Sequence, residues 1–254
     1  MWIIGDAHGE FKTWDWIVNR MQHGKPDGTH AHYSDEMPAS VARQADMVDS
    51  GPVGLDCSLQ LGDFGIFQER DIADGKLRGR EWPDPSKHKF FRGNHDNPNL
   101  VKDLPSYLGD YGYLEAQQLF WLAGAWSIDR IYRVPDVSWW HDEELSMEEL
   151  TTALALYEKV KPRVVITHEA PTVAKELLLD AHGMHNIGHS SHTEKCLQFM
   201  FEAHQPELWV FGHFHKRWTA EVMGSTGLTQ FECLDEMING NPKDCILEIP
   251  GLTW

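Results

Sequence analysis

The chain is poor in cysteine and in basic residues, and it has no long apolar run. Its four cysteines, Cys57, Cys196, Cys233 and Cys245, are scattered over 254 residues without the close pairing of a zinc ribbon or a disulfide frame. They are expected to be reduced core thiols, which implies a cytoplasmic setting. No segment approaches the roughly 18 to 20 apolar residues of a membrane span, and the mean hydropathy is −0.45. A membrane-embedded class is therefore excluded. The opening Met1-Trp2-Ile3-Ile4-Gly5-Asp6 lacks a basic region and a cleavage site, so no secretion signal is expected. Lysine and arginine number 22 against 39 acidic residues, a formal charge of −17. Long nucleic acid is bound through phosphate neutralisation along a basic track, so this charge disfavours a polynucleotide partner. It leaves room for a small phosphate ester, because bound cations reverse the sign locally. Internal repeats and low-complexity tracts are also missing.

What the chain does have is enough apolar mass for a sizeable core, 41% hydrophobic residues with 11 Trp and 11 Phe. Its length fits a single domain over 1–254. Between residues 24 and 54 the pattern dissolves into Pro and Gly, with one short helix near Ala39–Val48, and this stretch reads as a surface insertion.

Elsewhere, short apolar runs read as strands, and polar groups follow their ends. Trp2-Ile3-Ile4 leads to Gly5-Asp6-Ala7-His8, then to a helix with Phe11, Trp14, Ile17, Val18 and Met21 on one face. A run over 55–61 leads to Gly62-Asp63. His88–Phe91 leads to Arg92-Gly93-Asn94-His95-Asp96, where Gly93 is expected to permit a sharp turn. Leu119–Ala123 leads to a loop carrying Trp126, Arg133, Trp139 and Trp140. Arg163–Thr167 leads to His168-Glu169, and Leu208–Phe211 to Gly212-His213-Phe214-His215. Short strands are expected at Trp218–Val222, Thr229–Leu234 and Cys245–Ile249. A helix over Ser146–Tyr157 opens with a capping box, Ser146 and Glu149, and a staple of Leu145 on Leu150. Another runs from about Thr172 toward Gly183. A third, from about Ser191 to His204, has Ser191 and Glu194 spaced as a second box. Between the last two, His182, His185, His189 and His192 lie in a Gly-containing stretch that reads as a rim loop rather than a zinc site.

Parallel strands bring their C-terminal ends to one edge of a sheet, the place where open α/β sheets bind ligands. Asp6 and His8 can there point at one ion, Asp63 is placed to bridge two, and the weak amide ligand Asn94 makes sense only beside stronger ones. Trp126 and Trp139, near charged groups, either stack on a nucleobase or pack beneath a loop.

The ordered set Asp-x-His, Gly-Asp, Gly-Asn-His-Asp, a later His and Gly-His-x-His resembles the calcineurin-like metallophosphoesterase superfamily from Asp6 to His215. Thr167-His168-Glu169-Ala170-Pro171 and Ser138-Trp139-Trp140 look like its small bacterial and phage phosphodiesterase branch. The resemblance implies an α/β fold, a four-layer αββα sandwich, with two divalent cations. One would take Asp6, His8, Asp63 and His215. The other would take Asp63, Asn94, His168 and His213, with Asp63 and a water or hydroxide bridging. Such mixed ligands suit Mn²⁺, Fe or Zn²⁺ better than Ca²⁺, and Mn²⁺ is expected to support activity in vitro. His95 follows a ligand without being one, which leaves it free to protonate a leaving oxygen. Asp96 is expected to fix its tautomer. Arg92 is expected either to hold a phosphate oxygen or to form a surface salt bridge. After Asp63 stands Phe64-Gly65-Ile66-Phe67, not the Val-Asp-Arg-Gly run of protein serine/threonine phosphatases. Asp6 stands where lariat debranching enzymes have cysteine. The implied function is phosphoester hydrolysis, first as a phosphodiesterase on small nucleotides or cyclic nucleotides. The alternative is a phosphomonoesterase on a phosphoprotein or metabolite. A non-catalytic scaffold is disfavoured, because every motif position is filled.

Overall fold

Ile3 and Ile4 are consecutive strand residues, so they point to opposite faces, yet both are fully buried. Their sheet must be covered on both sides. The computed structural model describes residues 1–15, 17–18, 55–82, 84–184, 190–238 and 244–254, and it shows what those covers are. The strands are β1 (Trp2–Ile4), β2 (Ser58–Gln60), β3 (His88–Phe90), β4 (Tyr111–Leu114), β5 (Leu119–Leu122), β6 (Val164–Thr167), β7 (Leu208–Phe211), β8 (Trp218–Met223), β9 (Leu228–Cys233) and β10 (Ile246–Glu248). The α-helices are α1 (Phe11–Asp15), α2 (Pro98–Val101), α3 (Met147–Val160), α4 (Thr172–Ala181) and α5 (His192–Ala203). One sheet has the order β10-β1-β2-β3 and the other β4-β5-β6-β7-β9-β8. Strands β1 to β3 run parallel, as do β5, β6, β7 and β9.

The two sheets share one core, in which Ile3, Leu59, Leu61 and Phe91 of the smaller meet the larger. The other face of the smaller sheet packs Ile4 and Phe90 on Phe11 and Trp14 of α1, Val101 of α2 and the Phe64 ring, which stacks on Phe90 at 4.6 Å. Tyr157 of α3 covers the larger sheet, edge-on to Phe120 at 5.3 Å; α4 and α5 complete that layer through Leu178, Leu197 and Met200. Each fully buried large side chain contributes about 1.5–3 kcal/mol. The result is the αββα sandwich that the resemblance implies. The helices of the described residues are too short or too polar to cross a membrane, and the four cysteines are buried free thiols.

Several local expectations meet their physical test here. Ser146 and Glu149 form the reciprocal box at the start of α3. At α5, Ser191 Oγ accepts from Glu194 N at 2.9 Å, but the Glu194 carboxylate turns away to Lys175 Nζ and Thr172 Oγ1, both at 2.7 Å. Strand β4 has no counterpart in the sequence reading because Gly112, opposite Trp121, interrupts its apolar pattern; a side chain there would strike the Trp121 ring. The insertion at 24–54, Met21, His185 and His189 lie outside the described residues. His182 and His192, at the ends of α4 and α5, are exposed.

Candidate dinuclear metal centre

The polar groups do converge, but from two sheets rather than one edge. Asp6 and His8 follow β1, Asp63 follows β2, and Asn94 and His95 follow β3. His168 follows β6, and His213 and His215 follow β7. The sandwich aligns the C-terminal ends of its two parallel sets, so both contribute. His8, Asp63, His213 and His215 all have φ between 46° and 68°. That left-handed conformation costs a non-glycine residue about 1–3 kcal/mol and concentrates at functional sites. Gly93, by contrast, has no positive φ. It is required for close approach, since a Cβ there would land on Asp63 Oδ1 and the His168 ring.

Asp6, His8, Asp63 and His215 form one group, and Asp63, His168 and His213 another; within each, the ligand atoms all lie within 4.8 Å of one another. Asn94 Oδ1 joins the second at 3.0 Å from His168 Nε2. His168 Nδ1 faces Leu61 O at 3.0 Å. A carbonyl only accepts, so Nδ1 carries the proton and Nε2 is left for a ligand role. Ser127 Oγ accepts from Asn94 Nδ2 at 2.9 Å and is itself fixed to Glu143, which turns the amide oxygen toward His168.

Two buried oxygens, Asp6 Oδ1 and Asp63 Oδ2, have no hydrogen-bond partner. Buried charge without a partner is costly, and these two face a set of oxygen and imidazole donors. The residues therefore fit divalent cations. Protons partly stand in for that charge. Burial works against the His168 imidazolium, but Asp63 and Asp6 outweigh it and raise its pKa to about 9. Burial likewise opposes His215, yet Asp6 and Glu236 raise it to about 8. Burial also disfavours the Asp63 carboxylate, but His95, His168 and His8 hold it well below its usual range. Burial, reinforced by His168, pushes His213 well down.

A pH dependence follows. Cation binding needs the imidazole lone pairs, so loading at pH 7 should release about two protons, from His168 and His215. Calorimetry with Mn²⁺ in two buffers of different ionisation enthalpy measures this, and the release should vanish at higher pH. Because both folded-state values lie above the unfolded value near 6.5, their stabilisation of the metal-free protein is complete below that pH and lost as pH rises through 8 to 9. The melting temperature of the metal-free protein should fall over that window, and that of the loaded protein should not follow it.

Of the neighbouring residues, Asp96 departs from expectation, and Arg92 takes its salt-bridge alternative, though buried. The Asp96 carboxylate does not hold the His95 ring. It accepts from Phe64 N, Gly65 N, Ile66 N and Gly93 N at 2.7–3.1 Å, tying the loops after β2 and β3 together. Arg92 is buried, with Nε on Asp110 Oδ1 at 2.5 Å and Nη1 on the carbonyls of Asp142 and Glu143 at 2.9 Å. It lines a different cavity from the one at His95. The His95 ring instead meets Asp63 Oδ2 at 3.7 Å and Arg133 Nη2 at 3.3 Å. Burial lowers the His95 pKa; Asp63 opposes this and Arg133 adds to it. Trp126 lines the His95 cavity, about 540 Å³ in volume, and carries Arg130 over its ring at 4.8 Å. Trp139 packs on His141 instead, at 4.5 Å, outside that cavity. Glu169, Glu236, Asp129 and Arg133 also line it. None of the four had a sequence signal beyond adjacency to a motif or a charged loop. Glu169 Oε2 lies 3.7 Å from His213 Nε2, and burial pushes its pKa up to about 7.

Two ligand groups sharing one carboxylate, with a non-ligand imidazole beside them at a cavity, define a class of hydrolase suited to a pair of cations. The family description calcineurin-like phosphoesterase matches residues 1–217, and the chain belongs to that family. It is accordingly a metal-dependent hydrolase of phosphoester bonds. No curated protein matches the chain.

Proposed function

We propose that the protein is a phosphodiesterase of small nucleotides or cyclic nucleotides in which Asp6, His8, Asp63, Asn94, His168, His213 and His215 hold two divalent cations. The sharing of Asp63 carries the reading. Its Oδ1 lies 3.4 Å from His168 Nε2, and its partnerless Oδ2 lies 3.8 Å from His8 Nε2. Two cations so placed, when bound, polarise the phosphoryl group and supply a water acidic enough to attack at neutral pH. The chain's own side chains do the rest. The His95 backbone N–H donates to Asp63 Oδ1 at 2.8 Å, so the loop that carries the ring is registered on the shared carboxylate. The His95 ring then gives its proton to the departing ester oxygen.

Diester preference is supported by the position of Arg92. A doubly charged monoester gains most from an extra cation, and Arg92 is turned away into salt-bridge and carbonyl contacts. The cavity far exceeds the needs of a phosphoryl group, and its apolar lining, including Trp126, Phe67 and Leu179, suits a nucleoside. Mixed imidazole, carboxylate and amide donors suit Mn²⁺, Fe or Zn²⁺, and Mn²⁺ is the cation for the assay in vitro. The buried thiols support a reducing, cytoplasmic setting. Strand β10, paired with β1, supports one domain over 1–254.

The test is a comparison of a bis-aryl phosphodiester with an aryl phosphomonoester, using Mn²⁺-loaded protein. Faster diester cleavage is expected. Faster monoester cleavage would move the assignment to a phosphomonoesterase. Absence of both activities with every common divalent cation would leave a binding scaffold.

A further inference from the structure

The loop between β5 and α3 brings one arginine to the wall beside His95. Arg133 Nε and Nη2 donate to Asp129 Oδ1 and Oδ2 at 2.6 and 2.7 Å, and Nη1 donates to Ser138 O at 3.1 Å. Nη2 also faces His95 Nε2 at 3.3 Å. A guanidinium has five donors and no acceptor. Three are committed to Asp129 and Ser138, one is aimed at the imidazole, and one on Nη1 has no partner among the described residues. The planar fork is thus fixed in a residue that lines the cavity at His95. In this arrangement His95 Nε2 accepts from Arg133. When Nε2 instead carries the proton for the departing oxygen, the Nη2 N–H is released, and a phosphoryl oxygen beside Nε2 is within its reach.

Charge is the second feature. The carboxylate of Asp129 cancels that of the guanidinium. Lys175, the other cation of the cavity wall, is cancelled in the same way by Glu194 at 2.7 Å. Coulomb energy scales with the ligand's charge, so each cancelled cation costs a dianion about twice what it costs a monoanion.

We propose that Arg133 and Asp129 form a charge-selective clamp: Arg133 grips a phosphoryl oxygen beside His95, and Asp129 biases the site toward singly charged diesters over doubly charged monoesters. This deepens the phosphodiesterase reading and rests on His95 facing the scissile bond.

Arg133→Met, Arg133→Lys and Asp129→Asn test it, each assayed for metal content, for kcat/KM on both aryl esters, and for inhibition by inorganic phosphate and by dimethyl phosphate. Arg133→Met should weaken both inhibitors and lower diester kcat/KM by about 10- to 100-fold, the range for a charge-assisted hydrogen bond, with metal content unchanged. Arg133→Lys, which keeps the charge but not the fork, should recover part of the loss. Asp129→Asn should raise the monoester-to-diester ratio of kcat/KM by about 3- to 10-fold and tighten inorganic phosphate more than dimethyl phosphate. Arg133→Met values within twofold of wild type would overturn the grip. An Asp129→Asn variant that lowers both esters in parallel would overturn the charge selection, since a merely loosened loop does that. The inhibitor arm reads the clamp whichever ester the wild type prefers, so failure of the phosphodiesterase reading is seen separately, in the wild-type assay alone.

Discussion

Replacing His95 by alanine is expected to lower turnover by about 10²- to 10⁴-fold while both cations stay bound. The ring belongs to neither ligand group. Its polar contacts are Asp63 Oδ2 at 3.7 Å and Arg133 Nη2 at 3.3 Å, and the contact that registers its loop is the backbone N–H to Asp63 Oδ1, which alanine retains. The loss should therefore fall on kcat, with metal content by elemental analysis unchanged. It should also depend on the leaving group. An aryl oxide departs with little help from an acid, whereas an alkoxide needs a proton, so the variant should lose more on alkyl than on aryl diesters. The pH profile carries a sign. Burial and Arg133 place the His95 pKa below its ordinary value, so the reactive imidazolium is depleted as pH rises through that region. The wild-type kcat should show this falling limb, and His95→Ala should lack it. Loss of a cation in the variant would make His95 a ligand and end its role as acid.

The residues that converge at the candidate centre were legible in sequence for a local reason. Each follows a short apolar run, and four of the five blocks hold a glycine next to the first polar residue: Gly5-Asp6, Gly62-Asp63, Gly93-Asn94 and Gly212-His213. Strand, tight approach and donor sit within a few residues, so the pattern survives without tertiary information. The partners of Asp96 and Arg92 did not have that property. Asp96 binds amides 30 to 32 residues upstream as well as Gly93 N, and Arg92 binds the carbonyl of Glu143 fifty-one residues downstream. Adjacency to His95 suggested a ring contact that Asp96 does not make, whereas Arg92 forms the salt bridge that was one of its two expected roles, buried rather than at the surface. Glu194 shows the same limit at a helix start. The Ser-x-x-Glu spacing predicts the Ser191 cap, which forms, but Lys175 from α4 offers a charged partner and takes the carboxylate. Arg133 lies in a loop with no periodicity, and only its closure over His95 distinguishes it from a surface arginine. The origin of the site in two sheets was also invisible, because strand ends look alike whichever sheet receives them.

Asp63→Ala should empty the centre, taking bound metal from about two ions to none and phosphoesterase activity with it. Asp63 is the one residue common to both ligand groups; it is fully buried and held well below the usual carboxylate range, with burial outweighed by His95, His168 and His8. It is thus ionised wherever the enzyme would be assayed. Two cations sharing a site repel one another, and a bridging anion is what offsets that repulsion at close range. Removing it weakens both positions at once, unlike loss of His8 or Asn94, which belong to one each. Alanine also abolishes the acceptor for the His95 N–H and leaves a non-glycine residue at φ 50°, so a disturbed loop could imitate the loss. Asp63→Asn separates the two causes. The amide oxygen can still accept from His95 N, and asparagine tolerates the left-handed conformation, so the loop should hold while the bridging charge is gone. Metal lost from both variants identifies the charge as the requirement. Metal lost from alanine alone assigns the effect to loop geometry, and retention of both ions in each would remove Asp63 from its bridging role. The histidines provide an internal check. Asp63 is the largest of the influences raising the His168 pKa, so in metal-free Asp63→Asn that pKa should fall, moving the His168 titration measured by NMR toward acid.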